Sequence, residues 1–236
     1  MTIAPQRTPP LPRRGRRRPS TLSRVLTVVA GGFLAAVAAL VVITVVSGGD
    51  GRPPAAQADV PLVREDSHYL SDAGPGAPVL VEFLDLECEA CAEVYPTVEE
   101  LRAEYDGRLS VVARYFPLPG HPNSETAAVA VEAAAGQGAF EAMYQRLYET
   151  QEDWSHQEAS QAEVFRRYAA DLGLDLAAYD AAVADSATLQ RVGQDLTDGQ
   201  ALGVQGTPTF FLDGQRIEPT SPDHFRELVD QSLEAD

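Results

Sequence analysis

Both cysteines of the 236-residue chain fall in one four-residue stretch, Cys88-Glu89-Ala90-Cys91, between a β-rich apolar run and a helical pattern. The run Pro78 to Leu86 (PVLVEFLDL) is short and branched, whereas Glu89 to about Tyr105 places Ala92, Val94, Tyr95, Val98 and Leu101 at helical spacing. A strand that hands over to a helix at two thiols fixes the local fold. The first thiol then stands at a helix N-terminus, where free backbone N–H groups and the helix dipole stabilise a thiolate. Two cysteines three positions apart can also close a disulfide within one turn. Zinc would need two further ligands, and His68, His121, His156 and His224 are scattered singly, so no metal site is expected.

The second strand is Leu109 to Phe116 (LSVVARYF), and a helix between two strands makes a βαβ crossover with a parallel pair. From Ser124 to about Gly203 the chain is alanine-rich and helically periodic, with Phe140, Met143, Tyr144 and Leu147 on one face. We read it as a block of about four helices. Thr209 to Leu212, an Asp213-Gly214 turn and Gln215 to Ile217 form a hairpin, and Ser221 caps a last helix through Leu233. The fold class is therefore α/β, in the order βαβ, helices, ββα.

Residues 1–24 hold seven arginines and no acid, and Val25 to Val46 then run apolar for 22 residues. At about 1.5 Å per residue such a helix crosses a bilayer core of roughly 30 Å. The arginines lie on one side only, which puts residues 1–24 in the cytoplasm and the thiols in an oxidising, extracytoplasmic compartment. Ala56-Gln57-Ala58 has the form of a signal-peptide cleavage site, but the apolar run is too long and ends too early for that, so an uncleaved signal anchor is expected. Residues 47–66, rich in Gly, Pro and Ala, read as a tether, and residues 67–236 as the globular domain with its helical insertion at about 124–203.

All 35 acids lie after residue 49, against eleven of the eighteen arginines, so that part carries a net −24 and nucleic acid is excluded as a partner. The chain has no lysine, hence no Schiff base and no Walker lysine. No organic cofactor is implied.

A strand ending in CxxC, a helical insertion and Gly206-Thr207-Pro208-Thr209-Phe210 ahead of a closing hairpin and helix resemble the DsbA-like thiol:disulfide oxidoreductases of the thioredoxin superfamily. Val81-Glu82-Phe83, Arg114-Tyr115-Phe116-Pro117-Leu118 and Gly136-Gln137-Gly138 agree in type and order, so the likeness covers about Leu62 to Leu233. It implies a thioredoxin fold with Cys88 as nucleophile and Cys91 as the resolving thiol. Glu82 would be a buried proton shuttle for Cys91, on the strand face opposite Val79, Val81 and Phe83. Pro208 would be a cis proline facing the thiols, with the Thr207 backbone open to an extended client. The implied partners are exported, unfolded or thiol-bearing proteins and a quinone-linked membrane protein that reoxidises the pair. A reductase using the same residues, or a client-binding module with a static disulfide, remain as alternatives.

The family often has proline and then an aromatic residue or histidine between the cysteines, where this chain has Glu89-Ala90. Glu89, with Asp85, Glu87 and Glu93, surrounds the thiols with negative charge, which places the Cys88 pKa in the upper part of the approximate 3.5–7.5 range of reactive cysteines. Glu89 and His121 are accessory candidates, although a loop histidine is first read as surface. Trp154 and Phe140 read as packing residues, and Pro96 as a helix kink.

Overall fold

The computed structural model describes residues 60–235; the basic tail, the apolar run at 25–46 and the tether up to residue 59 lie outside the described residues. Among the described residues no helix is long and apolar enough to cross a membrane. Five strands, β1 (His68–Ser71), β2 (Val79–Leu84), β3 (Ser110–Tyr115), β4 (Thr209–Leu212) and β5 (Gln215–Ile217), form one sheet in the order β1-β3-β2-β4-β5. β2 and β3 run parallel in the register Glu82 to Ala113, joined by α1 (Glu89–Glu104). β1, β4 and β5 pair antiparallel with β3, β2 and β4.

β2 is buried on both faces, and its alternation sorts the core. Leu80 and Leu84 face one side with Val98 and Leu101 of α1 and Phe225 and Val229 of α8 (Pro222–Ala235). Val81 and Phe83 face the other, with Val112, Phe116 and Phe211. Glu82 follows the parity of Leu80 and Leu84 and therefore points into the first core. The β4–β5 hairpin turns through Asp213 and Gly214, both at positive φ (46° and 79°), as a two-residue loop with right-twisted strands requires.

Between β3 and β4 lie six helices rather than about four: α2 (Ser124–Ala135), α3 (Phe140–Glu149), α4 (Gln151–Trp154), α5 (Ala162–Asp171), α6 (Leu176–Ala184) and α7 (Ser186–Ala201). Short polar breaks make the difference. Asp175 accepts the N–H groups of Ala177 and Ala178 at the start of α6, and Asp185 ends α6 while accepting the N–H of Ala187 at the start of α7. The edge strand β1, absent from the sequence reading, has four residues with only Leu70 buried, too short for alternation to register.

The tether expected to run to residue 66 ends earlier. Leu62 and Val63 pack on the second core, and the Leu62 carbonyl accepts from Arg114 Nη1 at 2.6 Å. Arg114, wholly buried, also donates to Asp195 (2.6 Å) and Asp198 (2.5 Å) of α7, and Arg64 pairs with Asp198. These bonds satisfy a charge that burial would otherwise expel.

Candidate active site

Cys88 is the N-cap of α1, with φ −75° and ψ 125°. Its N–H donates to Asp85 O (3.1 Å) and its carbonyl accepts from Ala92 N–H (3.1 Å) and from Gln151 Nε2 (3.0 Å), so the turn into α1 is held from the strand, the helix and the insertion. Both cysteines are free thiols and buried, Cys91 completely. The Cys88 thiol lies 3.4 Å from the carbonyl of Thr207, whose bond to Pro208 is cis. Val94, Pro208, Phe210, Ile217 and Pro219 line a cleft beside that bond.

The two thiols are driven apart in acidity. Cys88 is lowered to about 5, first by a hydrogen bond from the Cys91 thiol; burial opposes this, and the Thr207 side chain and the N–H groups of Cys91 and Ala90 reinforce it. Cys91 is pushed well above its ordinary value, chiefly by burial and then by its hydrogen bond to Cys88 and the charge of Glu82. The Thr207 hydroxyl is buried with no other partner, so it too is available to the Cys88 sulfur.

Glu82 is 2% exposed, and its Oε2 has no hydrogen-bond partner. Burial raises its carboxyl to about 8, and the charges of Glu99 and Cys88 add to the effect. A carboxylic acid that is mostly protonated at neutrality and half-protonated at about pH 8, electrostatically coupled to both thiols, can give or take the proton of Cys91.

The acids near Cys88 do not hold its pKa in the upper part of the reactive range, because the hydrogen bonds to its sulfur outweigh them, and three of the four acids are themselves bonded. Asp85 accepts the N–H groups of Glu87 (2.9 Å) and Leu118 (3.0 Å) and lies 2.6 Å from His121 Nδ1. Glu87, fully buried, accepts the N–H groups of Asn123 (2.6 Å) and His156 (2.8 Å). Glu89 lies 2.9 Å from His156 Nε2, and its pKa is lowered by its own backbone N–H and then by the two histidines. His121 is thus no surface loop histidine: it is half-buried beside the thiol turn. His156, Glu87, Asp85 and Gln151 also belong to the site, and sequence reasoning missed His156 and Gln151 altogether because only the fold of the insertion brings them there. Trp154 packs in the insertion, edge-on to Phe165, with Nε1 donating to Leu147 O (3.1 Å). Pro96 lies inside α1.

A parallel βαβ unit, a helical insertion and an antiparallel ββα unit, with two thiols at the start of the first helix facing a cis proline, define the thioredoxin class of fold. Residues 74–231 match the thioredoxin family, and the chain belongs to it. Among solved structures it is similar to α-DsbA1 of Wolbachia pipientis (19% identity, 77% of this chain and 97% of that one, TM-score 0.65). It is similar also to oxidised BdbD of Bacillus subtilis (19% identity, 71% and 93%, TM-score 0.63). A thioredoxin-like oxidoreductase of Silicibacter pomeroyi shares 24% identity over 76% of this chain and 99% of that one, with a TM-score of 0.61. Curated relatives include the Na(+)/H(+) antiporter NhaA of Herminiimonas arsenicoxydans, 37% identical over 165 residues, and NhaA 1 of Mycobacterium sp. strain KMS, 38% identical over 162. These matches cover 68% and 66% of this chain, but only 25% of each antiporter, so the chain spans about a quarter of the length of those relatives.

Proposed function

We propose that this protein is a membrane-tethered thiol:disulfide oxidoreductase that forms or exchanges disulfides in proteins on the extracytoplasmic side. The observation that carries the reading is the pair of free thiols at the start of α1, Cys88 Sγ 3.4 Å from the Thr207 carbonyl, with the unpartnered carboxyl oxygen of Glu82 buried in the same core; the lowering of Cys88 and raising of Cys91 and Glu82 accord with it. A static disulfide needs none of these. In the oxidising direction a client thiolate attacks the Cys88 sulfur of the Cys88–Cys91 disulfide. The S–S bond breaks, a mixed disulfide forms, and Cys91 departs as a thiolate that Glu82 protonates. A second client thiolate then attacks the client sulfur of the mixed disulfide. Cys88 leaves as a stabilised thiolate, the client is oxidised by two electrons and the pair is reduced. The cleft beside Pro208 and the Thr207 backbone receive the client as an extended segment. A quinone-linked membrane protein would take the electrons, and the arginine-flanked apolar run at 25–46 would hold the domain at the membrane.

Cys91→Ser tests the reading, since it removes the resolving thiol and spares the nucleophile. Mixed disulfides with exported proteins should accumulate on non-reducing gels. Absence of adducts while Cys88 still alkylates would turn the reading toward a client-binding module. Equilibration of the wild-type pair with glutathione then fixes whether it runs as oxidant or reductant.

A further inference from the structure

Three loops converge just ahead of Cys88, and their fastening is more elaborate than fixing one turn requires. Glu87 takes the N–H of Asn123 from the loop before α2 on one carboxylate oxygen and the N–H of His156 from the loop after α4 on the other. Asn123 cross-links those loops itself: its Nδ2 donates to Gln157 O (2.7 Å) and its Oδ1 accepts from Gln161 N–H (2.8 Å). His121 and His156 are thereby brought together from distant parts of the chain, with ring centroids 5.8 Å apart and nearly perpendicular planes. Each ring sits on a different acid, His121 on Asp85 at 2.6 Å and His156 on Glu89 at 2.9 Å. His156 takes a left-handed backbone (φ 56°) to do so.

We propose that His121 and His156 act as a paired counter-charge for the Cys88 thiolate: positioning residues that neutralise Asp85 and Glu89 and so set the redox poise of the thiol pair. The proposal rests on the redox reading above. The groups facing the rings are Asp85 and Glu87 from the turn after β2, Cys88 and Glu89 from the start of α1, and each ring the other. Glu152 and Asp153 of α4 line the cavity that Glu89 also lines. Burial disfavours the charged form of His121, but its bond to Asp85, the Asp85 charge and the Cys88 thiolate outweigh burial and raise its pKa. An interaction between two charges is shared, so the imidazolium that gains from the thiolate also stabilises it. With His121 protonated Asp85 is covered and the reduced pair is favoured, making the protein the stronger oxidant. With His121 neutral Asp85 faces the thiolate uncovered, and the oxidising power falls.

Reciprocity supplies a test that needs no variant. Histidine NMR titrations of the wild-type domain, reduced with dithiothreitol and oxidised with diamide, should show the His121 midpoint higher in the reduced form by roughly half a unit to one unit, the scale of a partly screened charge pair at an intermediate dielectric. Equal midpoints in the two redox states would overturn the proposal. In His121→Gln the equilibrium constant with glutathione should fall several-fold at about pH 6, and the gap from wild type should close as pH rises and the His121 imidazolium is lost; His156→Gln, which uncovers Glu89, should lower the constant as well. A gap of constant size at all pH values would mean that the rings only support the loops, and overturns the proposal as well. Failure of wild-type protein to equilibrate with glutathione would strike the redox reading instead, while the titrations of the two chemically prepared forms still decide the counter-charge.

Discussion

A carboxyl group with an unpartnered oxygen in a closed core is unfavourable for folding, and Glu82 occupies such a place on β2. Its folded pKa of about 8 lies above the ordinary 4.5, so the folded reduced protein keeps a proton that the unfolded chain releases. The contribution of this group to stability therefore falls from about pH 4.5 upward and levels off only above about pH 8. Cys88 works the other way, since its depressed thiol gains stability for the fold as pH rises from about 5. Comparison with Glu82→Gln separates the two. The variant should be more stable than wild type by a few kcal/mol at about pH 8 and nearly equal to it at about pH 4 in urea denaturation of the reduced protein. Its turnover should drop by up to about 10²-fold, the scale of one general acid or base. A stabilisation that ignores pH, or an unchanged rate, would make Glu82 a packing residue. The alternation of β2 made Glu82's side of the strand readable beforehand. That burial in an apolar core would raise its pKa toward neutrality was readable too; the extent of the rise was not, because it depends on complete closure of the core and on the charges of Glu99 and Cys88.

At the scale of elements, contrast decides legibility. β2, α1, β3 and the β4–β5 hairpin were readable because period two gives way sharply to period 3.6 or to an Asp-Gly turn. β1 offers only Leu70, and the insertion is so uniformly rich in alanine that its breaks depend on two aspartate caps. Gly199 shows what such a stretch conceals. Read alone it is a helix-weakening glycine in α7, where alanine would ordinarily add about 1 kcal/mol. In place it lies against the second core: a Cβ there would stand 2.7 Å from Phe116 Cδ2 and 3.0 Å from Phe83 Cδ1. The missing side chain lets α7 approach the sheet, so Gly199→Ala should destabilise by about 1–3 kcal/mol, overpacking outweighing propensity. Thermal unfolding checks the sign. A higher melting temperature would show that the two rings yield freely.

For the whole molecule, the question is where the globular domain begins. Composition suggested residue 67, because Pro, Gly, Ala and charge dominate residues 47–66, and charge in a tether is ordinarily solvated. The residues nearest the domain do something else. Leu62 and Val63 lie on the second core, Arg64 and Arg114 share Asp198, and the Leu62 carbonyl satisfies Arg114. Burial would raise the Asp198 carboxyl, but bonds from Arg64, Arg114 and Gln194 bring it down to about 2. A depressed acid of this kind contributes stability above its ordinary 3.8 that is lost as pH falls toward 2. A chain beginning at Asp59 should therefore fold as stably as one carrying all preceding residues. One beginning at Ser67 exposes apolar surface and strips partners from a buried arginine and its acid, and should lose about 2–4 kcal/mol in urea denaturation at neutral pH. Arg64→Gln in the longer chain should reproduce part of that loss, and the deficit should shrink as pH falls toward 2 and Asp198 is protonated in either form. Equal stability of the two shortened chains would return residues 60–66 to the tether and leave Arg114 to be held by Asp195 and Asp198 without help from the segment that precedes β1.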